Sequence, residues 1–256
     1  MTPQEATPQA VAGVLRDSAY LRERQAPKPA DATYLHLRDL LTFLQRHRSN
    51  EPLRILDYGC GGSPYRQLFP HAEYHRADNE AAEPGLSFVL GADGAVPAPS
   101  SHYDLILSTQ VLEHVAIPDR HLAECLRLLR PGGRLLLSTH GTYEDHGCPA
   151  DYHRWTADGL RHALTQAAFE VQEITKLTCS GRALLQLLTH HHGGLHGPRW
   201  HPYGAWAAGT RFLFRRFRSA MHRWSDRFQS DYALQPADEG GVVLYLGLGA
   251  LARKPA

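Results

Sequence analysis

A glycine-rich turn after the first apolar strand is the feature of this sequence most suggestive of chemistry. The strand covers residues 53–57 and ends on Asp57, and Tyr-Gly-Cys-Gly-Gly-Ser follows through residue 63. Glycines at such a turn let the backbone bend tightly and approach a ligand closely. Asp78 stands 21 residues after Asp57, at the end of the next strand. Because the two strand ends are neighbours in a doubly wound sheet, Asp78 is predicted to bind a ribose diol.

The turn departs from the pattern of dinucleotide-binding proteins. Gly59 and Gly61 occupy the first two glycine positions of G-x-G-x-x-G, but the third position is Pro64. Proline removes a backbone N–H where a pyrophosphate needs one. Asp57 would also repel phosphates, whereas it suits a cationic ligand that carries an amino group. A nicotinamide-dependent oxidoreductase is therefore the less favoured interpretation.

Histidines at two strand ends are candidate general bases. His114 follows the fourth predicted strand and His140 follows the fifth, where substrates approach an open α/β sheet. The pKa of histidine lies near neutrality, which suits a base that accepts a hydroxyl proton. His153 and Tyr143 in the next loop are weaker candidates. We expect His140 or His114 to be catalytic.

Short apolar runs alternate with helical patterns, which indicates a doubly wound, mostly parallel sheet. Predicted strands cover 53–57, 74–77, 86–90, 103–108, 134–139, 171–177 and 242–251. Predicted helices cover 11–24, 31–48, a segment after the glycine turn, 120–129 and 156–168. Asp31 and Thr156 are the expected N-caps.

Composition bounds the class of protein. The 256 residues include 43% hydrophobic and 21% charged residues with a net charge of +1, which is typical of a globular chain and not of a generic nucleic-acid binder. The four cysteines form no C-x-x-C pair, so a reducing, cytoplasmic location is expected. Residues 1–10 do not resemble a secretory signal, and no apolar run reaches the ~18 residues of a membrane span.

Four regions are expected along the chain. They are an N-terminal helical cap (1–50), an α/β core (51–179), a helical insertion (180–238) and the final core strand (239–256).

The insertion contains an amphipathic pattern. Aromatic residues and a methionine recur at steps of three and four at Phe214, Phe217, Met221, Trp224 and Phe228. This spacing predicts a helix with one apolar stripe, and arginines surround it. Three roles stay open: a lid over the substrate, a homodimer contact, or a basic helix on an anionic membrane. Nucleic-acid binding through the arginines is a weaker fourth.

Two groups of residues could ligate a metal by residue type alone. The first contains His140, His146, Cys148, Asp151 and His153, and the second contains residues 190–192, His196 and His201. Neither spacing fits a common zinc pattern, so no metal site is expected.

Several segments together resemble class I S-adenosylmethionine-dependent methyltransferases, in particular the bacterial type 11 group. The segments, in the family's order, are 56–61 (Leu-Asp-Tyr-Gly-Cys-Gly), Asp78, 92–97, 103–115 and 128–135. The resemblance implies a Rossmann-like sheet of seven strands, the last antiparallel, with helices on both faces. It also implies S-adenosyl-L-methionine as cofactor.

The resemblance carries roles to particular residues. Asp57 would hold the methionine amine through the loop. The loop residues Tyr58, Gly59, Cys60 and Gly61 would pass under the cofactor. Asp78 with Asn79 would bind the ribose, Asp93 with Gly94 the adenine, and Thr109 with Gln110 would line the pocket near the sulfonium.

The acceptor is expected to be a hydroxyl of a small molecule or glycan, and a carbon or nitrogen acceptor stays open. The sequence after the fourth strand is Ser-Thr-Gln-Val, unlike the Asn-Pro-Pro-Tyr of amino methyltransferases, and segment 140–160 resembles small-molecule and glycan-modifying members. A catalytically silent protein that binds S-adenosylmethionine is the main alternative.

Overall fold

Eight strands form one sheet in the computed structural model of the protein, which describes residues 18–79, 85–147, 150–195, 197–198, 200–239, 241 and 243–256. The strands are β1 (Arg54–Tyr58), β2 (Glu73–Asp78), β3 (Phe88–Val89), β4 (Tyr103–Thr109), β5 (Leu129–His140), β6 (Glu170–Cys179), β7 (Leu234–Pro236) and β8 (Tyr245–Arg253). Their order across the sheet is β3-β2-β1-β4-β5-β8-β6-β7.

The first five strands are mutually parallel, and the last strand is not. β8 lies between β5 and β6 and is antiparallel to both. This confirms the predicted fold class, a mostly parallel sheet with an antiparallel last strand. The strand count of seven was one too few, because β7 pairs antiparallel with the edge of β6. β7 comes from the segment predicted as an insertion, and its three residues carry little strand signal.

Helices cover both faces of the sheet, as predicted. In the described part of the chain the α-helices are α1 (Ser18–Gln25), α2 (Tyr34–Arg46), α3 (Pro118–Leu128), α4 (Ala157–Gln166), α5 (Ser180–His191) and α6 (Pro202–Phe228). Neighbouring residues on β1 serve opposite faces: Leu56 packs with residues of α3 and α4, and Ile55 packs with residues of α2. None of these helices combines the length and the apolar content needed to cross a lipid bilayer.

The connection from β1 to β2 corrects one prediction. The helix expected after the glycine turn is only a single 3-10 turn at Arg66–Leu68. Pro64 and Pro70 bracket this turn, and a proline within a helix removes a hydrogen bond and clashes with the preceding turn. The glycine turn is therefore followed by a loop and not by a long helix.

The two predicted helix N-caps, Thr156 and Asp31, differ in the structure. Thr156 accepts a hydrogen bond from the Gly159 N–H at 3.0 Å and caps α4, as predicted. Asp31 does not cap α2, which begins at Tyr34. Instead, the Asp31 carboxylate accepts hydrogen bonds from Arg22 at 2.6 and 2.9 Å and ties α1 to the start of α2. The first helix begins at Ser18, and residues 11–17 of the prediction lie outside the described residues.

A buried ion pair joins the segment after β6 to α2. Arg182 at the start of α5 donates to both carboxylate oxygens of Asp39 at 2.7 and 2.8 Å, and both side chains are buried. Arg182 also reaches Asp226 on α6 at 3.1 Å, and Asp226 accepts a 2.6 Å hydrogen bond from the Tyr34 hydroxyl. One charged network thus holds α2, α5 and α6 together. The domain boundaries given above stay predictions.

Candidate active site

The glycine turn forms a tight bend at the carboxyl end of β1. Gly59 and Gly61 have φ of +75° and +46°, in the region that favours glycine. A side chain on Gly59 would meet Val111 at 2.6 Å, so position 59 has no space for one. The Gly61 N–H donates to an Asp78 carboxylate oxygen at 2.7 Å. The structure therefore brings together the loop and the acid that the sequence pairs.

Asp78 is held in place by backbone groups. Its second oxygen accepts from the Asn79 N–H at 2.8 Å, and the residue is buried at the end of β2. A carboxylate oxygen can accept more than one hydrogen bond. This arrangement suits recognition of a sugar diol by a preoriented carboxylate.

Asp57 lies deeper than Asp78. It accepts a 2.7 Å hydrogen bond from the Tyr74 hydroxyl, and burial raises the pKa of its carboxyl to about 7. The Tyr74 hydrogen bond opposes this shift by favouring the charged form. The Asp57 side chain thus contacts β2. This agrees with an indirect role in ligand binding, in which Asp57 supports the loop and does not touch the ligand.

The predicted adenine segment is attached to the loop by Tyr58. The Tyr58 hydroxyl donates to the carbonyl oxygen of Gly94, whose φ is +84°. The Asp93 side chain is exposed and accepts from the Ala95 N–H at 3.1 Å. Cys60 is buried. Tyr58 and Cys60 therefore shape the turn. Asp93 precedes Gly94 in the attached segment and is exposed to solvent.

Gln110 marks the carboxyl end of β4. Its φ of +57° is unusual for a non-glycine residue, and its N–H donates to the carbonyl of Ser138 on β5 at 2.9 Å. The Gln110 side-chain oxygen lies 3.4 Å from Nε2 of His36, which comes from α2. Thr109 precedes it as the last residue of β4. Sequence reasoning missed His36, because it stands on the apolar face of a helix 74 residues away from Gln110.

His140 and Glu113 form a buried pair. Nε2 of His140, the last residue of β5, lies 3.3 Å from a carboxylate oxygen of Glu113, and both side chains are buried. The other Glu113 oxygen accepts from the Thr139 hydroxyl at 2.8 Å. Burial raises the pKa of Glu113 to about 7 and holds the pKa of His140 well below its usual range. His140 is therefore a neutral imidazole near pH 7.

The second ring nitrogen of His140 has no hydrogen-bond partner among the described residues. Glu113 Oε1 likewise lacks a hydrogen-bond partner among the described residues, so its 3.3 Å approach to Nε2 is a close contact and not a formed hydrogen bond. The nearby carboxylate favours the tautomer that carries the proton on Nε2 and the lone pair on Nδ1. A buried nitrogen with an unused lone pair is what a general base requires. Glu113 lies within segment 103–115, but its residue type and position in the sequence do not mark it as a site residue.

An aromatic layer surrounds His140. The Tyr143 ring stacks on it, with centroids 4.1 Å apart, and His36 and His146 lie at 5.4 and 4.9 Å. Burial raises the pKa of Tyr143 to about 12, so its hydroxyl stays protonated and is a poor base. Two ring nitrogens of this layer lie near carboxylates: Nε2 of His140 is 3.3 Å from Glu113, and Nδ1 of His146 is 3.5 Å from Asp151.

His114, the other predicted base, lies beside His146 at a ring distance of 4.9 Å. Its Nδ1 is 2.6 Å from the carbonyl of Ala150, and burial lowers its pKa. A ligand-competent atom each from Glu113, His114 and His146 lies within 4.8 Å of the others, and Glu144, His190 and His191 form a similar group. Either group has donors suited to a divalent cation.

These two groups differ from the two sets of metal-ligand candidates predicted from the sequence. Asp151 binds Arg154 at 2.6 Å, which lowers the pKa of Asp151 to about 2. Cys148 and His196 lie outside the described residues.

A cleft of about 440 Å³ opens beyond β5, lined by residues that include Gly141, Arg154, Trp155 and Tyr245. Its size is within the range of small-molecule sites.

Comparison with known proteins agrees with this geometry. The sequence profile of a family described as "Methyltransferase domain" matches residues 30–190, more than half of the chain. The solved structure of the [4+2]-cyclase SpnF has a TM-score of 0.55 at 22% identity, covering 99% of this chain and 98% of that one. Phosphoethanolamine N-methyltransferase 2 of Haemonchus contortus has a TM-score of 0.56 at 14% identity, covering 99% and 59%.

Curated relatives are similar over shorter stretches. A ubiquinone biosynthesis O-methyltransferase of Maricaulis maris is 34% identical over 111 residues, 38% of this chain and 44% of that protein. A malonyl-[acyl-carrier protein] O-methyltransferase of Methylococcus capsulatus is 35% identical over 112 residues, 38% and 40% of the two chains. The chain thus matches less than half the length of either relative.

The fold and the family profile are those of a class I S-adenosylmethionine-dependent methyltransferase. The chain belongs to the methyltransferase domain family.

Proposed function

We propose that this protein transfers a methyl group from S-adenosylmethionine to a hydroxyl oxygen of a small-molecule or glycan acceptor, with His140 as the general base. The observation that carries the proposal is the buried Glu113–His140 pair, with Nε2 of His140 3.3 Å from the carboxylate and Nδ1 unpartnered among the described residues. The relatives named as O-methyltransferases support an oxygen acceptor.

The loop and Asp78 fit the cofactor. The Asp78 carboxylate, which accepts hydrogen bonds from the Gly61 and Asn79 N–H groups, is oriented to suit a ribose diol. On the basis of the family resemblance, we propose that Gly61, Asn79, Asp93, Gly94, Thr109 and Gln110 also contact the cofactor. Asp57, Tyr58 and Cys60 would contribute to binding through the shape of the loop. When bound, S-adenosylmethionine supplies a methyl group already activated by the sulfonium charge.

The protein's own contribution is alignment and proton removal. Nδ1 of His140 would accept the proton that the acceptor hydroxyl loses on methylation. The Glu113 carboxylate then stabilises the imidazolium through Nε2. Because Nδ1 of His140 is buried, side chains next to it must move before an acceptor hydroxyl reaches it.

The experiment is a methyl-transfer assay with radiolabelled S-adenosylmethionine and an acceptor panel of phenols, sugars and carboxylic acids. The wild type is expected to label at least one hydroxyl acceptor, and His140→Ala is expected to abolish most of that label. Chelation is expected to leave the rate unchanged. A rate lost on chelation and restored by a divalent cation would instead assign the chemistry to Glu113, His114 and His146.

A silent cofactor-binding protein is the second candidate, because the fold neighbour SpnF is described as a [4+2]-cyclase and not as a methyltransferase. Tight binding of S-adenosylhomocysteine without label on any acceptor would favour it. Nicotinamide nucleotide binding would favour the oxidoreductase alternative. For the whole protein we propose a cytoplasmic location.

A further inference from the structure

The long helix α6 presents an apolar stripe to the outside of the molecule. The stripe consists of Trp206, Leu213, Phe217, Trp224 and Phe228, which are separated by steps of seven and four residues. These steps place all five side chains on one side of a helix. Their exposed fractions run from 45% to 62%, which is high for large apolar side chains in this number.

The opposite side of α6 is fixed to the protein. Gly204, Ala207, His222 and Ser225 are buried there. The two ring nitrogens of His222 lie 2.9 Å from the Thr189 hydroxyl and 2.8 Å from the carbonyl of Pro29. Because these contacts define the inner face, the helix does not need to rotate to present the stripe.

A row of arginines borders the stripe. Arg216, Arg223 and Arg227 each immediately precede one of its aromatic residues. The guanidinium groups of Arg216 and Arg227 lie 5.6 and 5.4 Å from the ring centroids of Phe217 and Phe228. The exposed surface of α6 therefore combines aromatic rings with positive charge.

Negative charge does not offset this row. α6 contains six arginines and one acid, Asp226. Asp226 is turned toward the protein, where it forms ion pairs with Arg182 and Arg38. Within α6, the surface beside the stripe thus carries cations without an acidic partner.

These charges discriminate between the possible partners. A second copy of the chain packed stripe to stripe would bring two arginine rows together with no acid from α6 to pair them. Nucleic acid would pair with the arginines but leave a continuous stripe of five apolar side chains without an apolar environment. An anionic bilayer surface satisfies both, because aromatic rings enter the head-group region while arginines bind lipid phosphates.

We propose that α6 is a membrane-surface helix that binds anionic lipid bilayers through the stripe and its arginine row. The stripe residues lie in the boundary between head groups and acyl chains, and Arg216, Arg223 and Arg227 pair with lipid phosphates. The protein is thereby attached to a bilayer surface without crossing it.

The test is vesicle flotation of the full chain, with no cofactor or acceptor present. Vesicles contain either phosphatidylcholine alone or phosphatidylcholine with phosphatidylglycerol. The wild type is expected to float with the anionic vesicles and to dissociate at high salt. The double variant Phe217→Ser/Trp224→Ser is expected to lose affinity by about tenfold or more, because two large apolar contacts are removed.

Matched controls come from the same helix. Phe212 is 60% exposed but lies roughly 130° around the helix from the middle of the stripe, so Phe212→Ser should float like the wild type. Arg215→Gln should also be neutral, whereas Arg216→Gln/Arg223→Gln should weaken flotation. Thermal melting and S-adenosylhomocysteine binding verify that each variant is folded.

Three results would overturn the proposal. The first is a wild type that fails to float with anionic vesicles. The second is equal loss in the stripe variants and in Phe212→Ser. The third is a wild-type dimer by light scattering that the stripe variants convert to monomers, which would assign the stripe to self-association. None of these measurements depends on methyl transfer.

Discussion

Two regions lie at the same end of the sheet but are assembled in different ways. We call the glycine turn with Asp78 the cofactor edge, and the group of side chains around His140 the histidine layer. At the cofactor edge, Gly59, Gly61 and Asp78 come from two consecutive strands, and the Gly61–Asp78 hydrogen bond joins residues 17 apart. The histidine layer gathers His36, Glu113 and His140 from α2, the turn after β4 and the end of β5. The first region is a local motif, and the second exists only in the folded chain.

This difference suggests a division of labour. We expect the local motif to determine which cofactor binds and the assembled layer to determine which acceptor reacts. If this division holds, substitutions in one region should change one measured quantity and leave the other nearly constant.

Replacement of the proposed base should give the largest effect. His140→Ala is expected to lower kcat by about 10²–10⁴, the usual contribution of general base catalysis. The affinity for S-adenosylhomocysteine, measured by calorimetry, should change by less than about twofold, because His140 lies in the acceptor region. His114→Ala is the matched histidine control and should retain most of the rate. Parallel losses of rate and affinity in His140→Ala would break the proposed division.

The two regions differ in how far the sequence predicts them. Each parallel strand is a short apolar run, and Asp57, the glycines and Asp78 follow strand ends, so local patterns identify them. His36 and Glu113 carry no local mark of their function. Their role depends on the packing of α2 against the sheet and on contacts between residues far apart in sequence. β7 and the missing helix after Pro64 were mispredicted for the related reason that short segments are decided by their surroundings.

Stability should depend strongly on the ion pair that joins α5 to α2. Arg182→Met leaves the buried Asp39 carboxylate without its bidentate partner, and breaking such a pair costs about 3–5 kcal/mol of unfolding free energy. Urea denaturation measures this loss. Arg215→Met, at an exposed arginine, should stay within about 0.5 kcal/mol of the wild type. An equally small loss in Arg182→Met would show that α5 is held by its apolar contacts instead.

The cofactor edge should respond to loss of its acid. Asp78→Ala removes the carboxylate that orients the glycine loop, and the affinity for S-adenosylhomocysteine should fall by about 5- to 150-fold, equivalent to 1–3 kcal/mol. Asp93→Ala is the comparison variant, and its effect should be smaller because Asp93 is exposed. A greater loss in Asp93→Ala than in Asp78→Ala would move the main cofactor contact to the outer edge of the loop.

The finest test concerns the ionisation of Glu113 and applies within the histidine layer. Since burial raises the pKa of Glu113 to about 7 and keeps His140 neutral, the carboxylate forms as the pH rises through about 7. Only the ionised carboxylate stabilises the imidazolium that His140 becomes, so kcat should increase with pH across this interval and level off above it. Glu113→Gln keeps a side-chain oxygen for Nε2 but cannot ionise. Its profile should be flat near pH 7, with a rate about tenfold below the wild type at pH 8 and close to it at pH 6. A purely structural role for Glu113 would lower the rate equally at both pH values. The shape of the profile, and not the size of the loss, therefore decides whether Glu113 acts on the proton transfer.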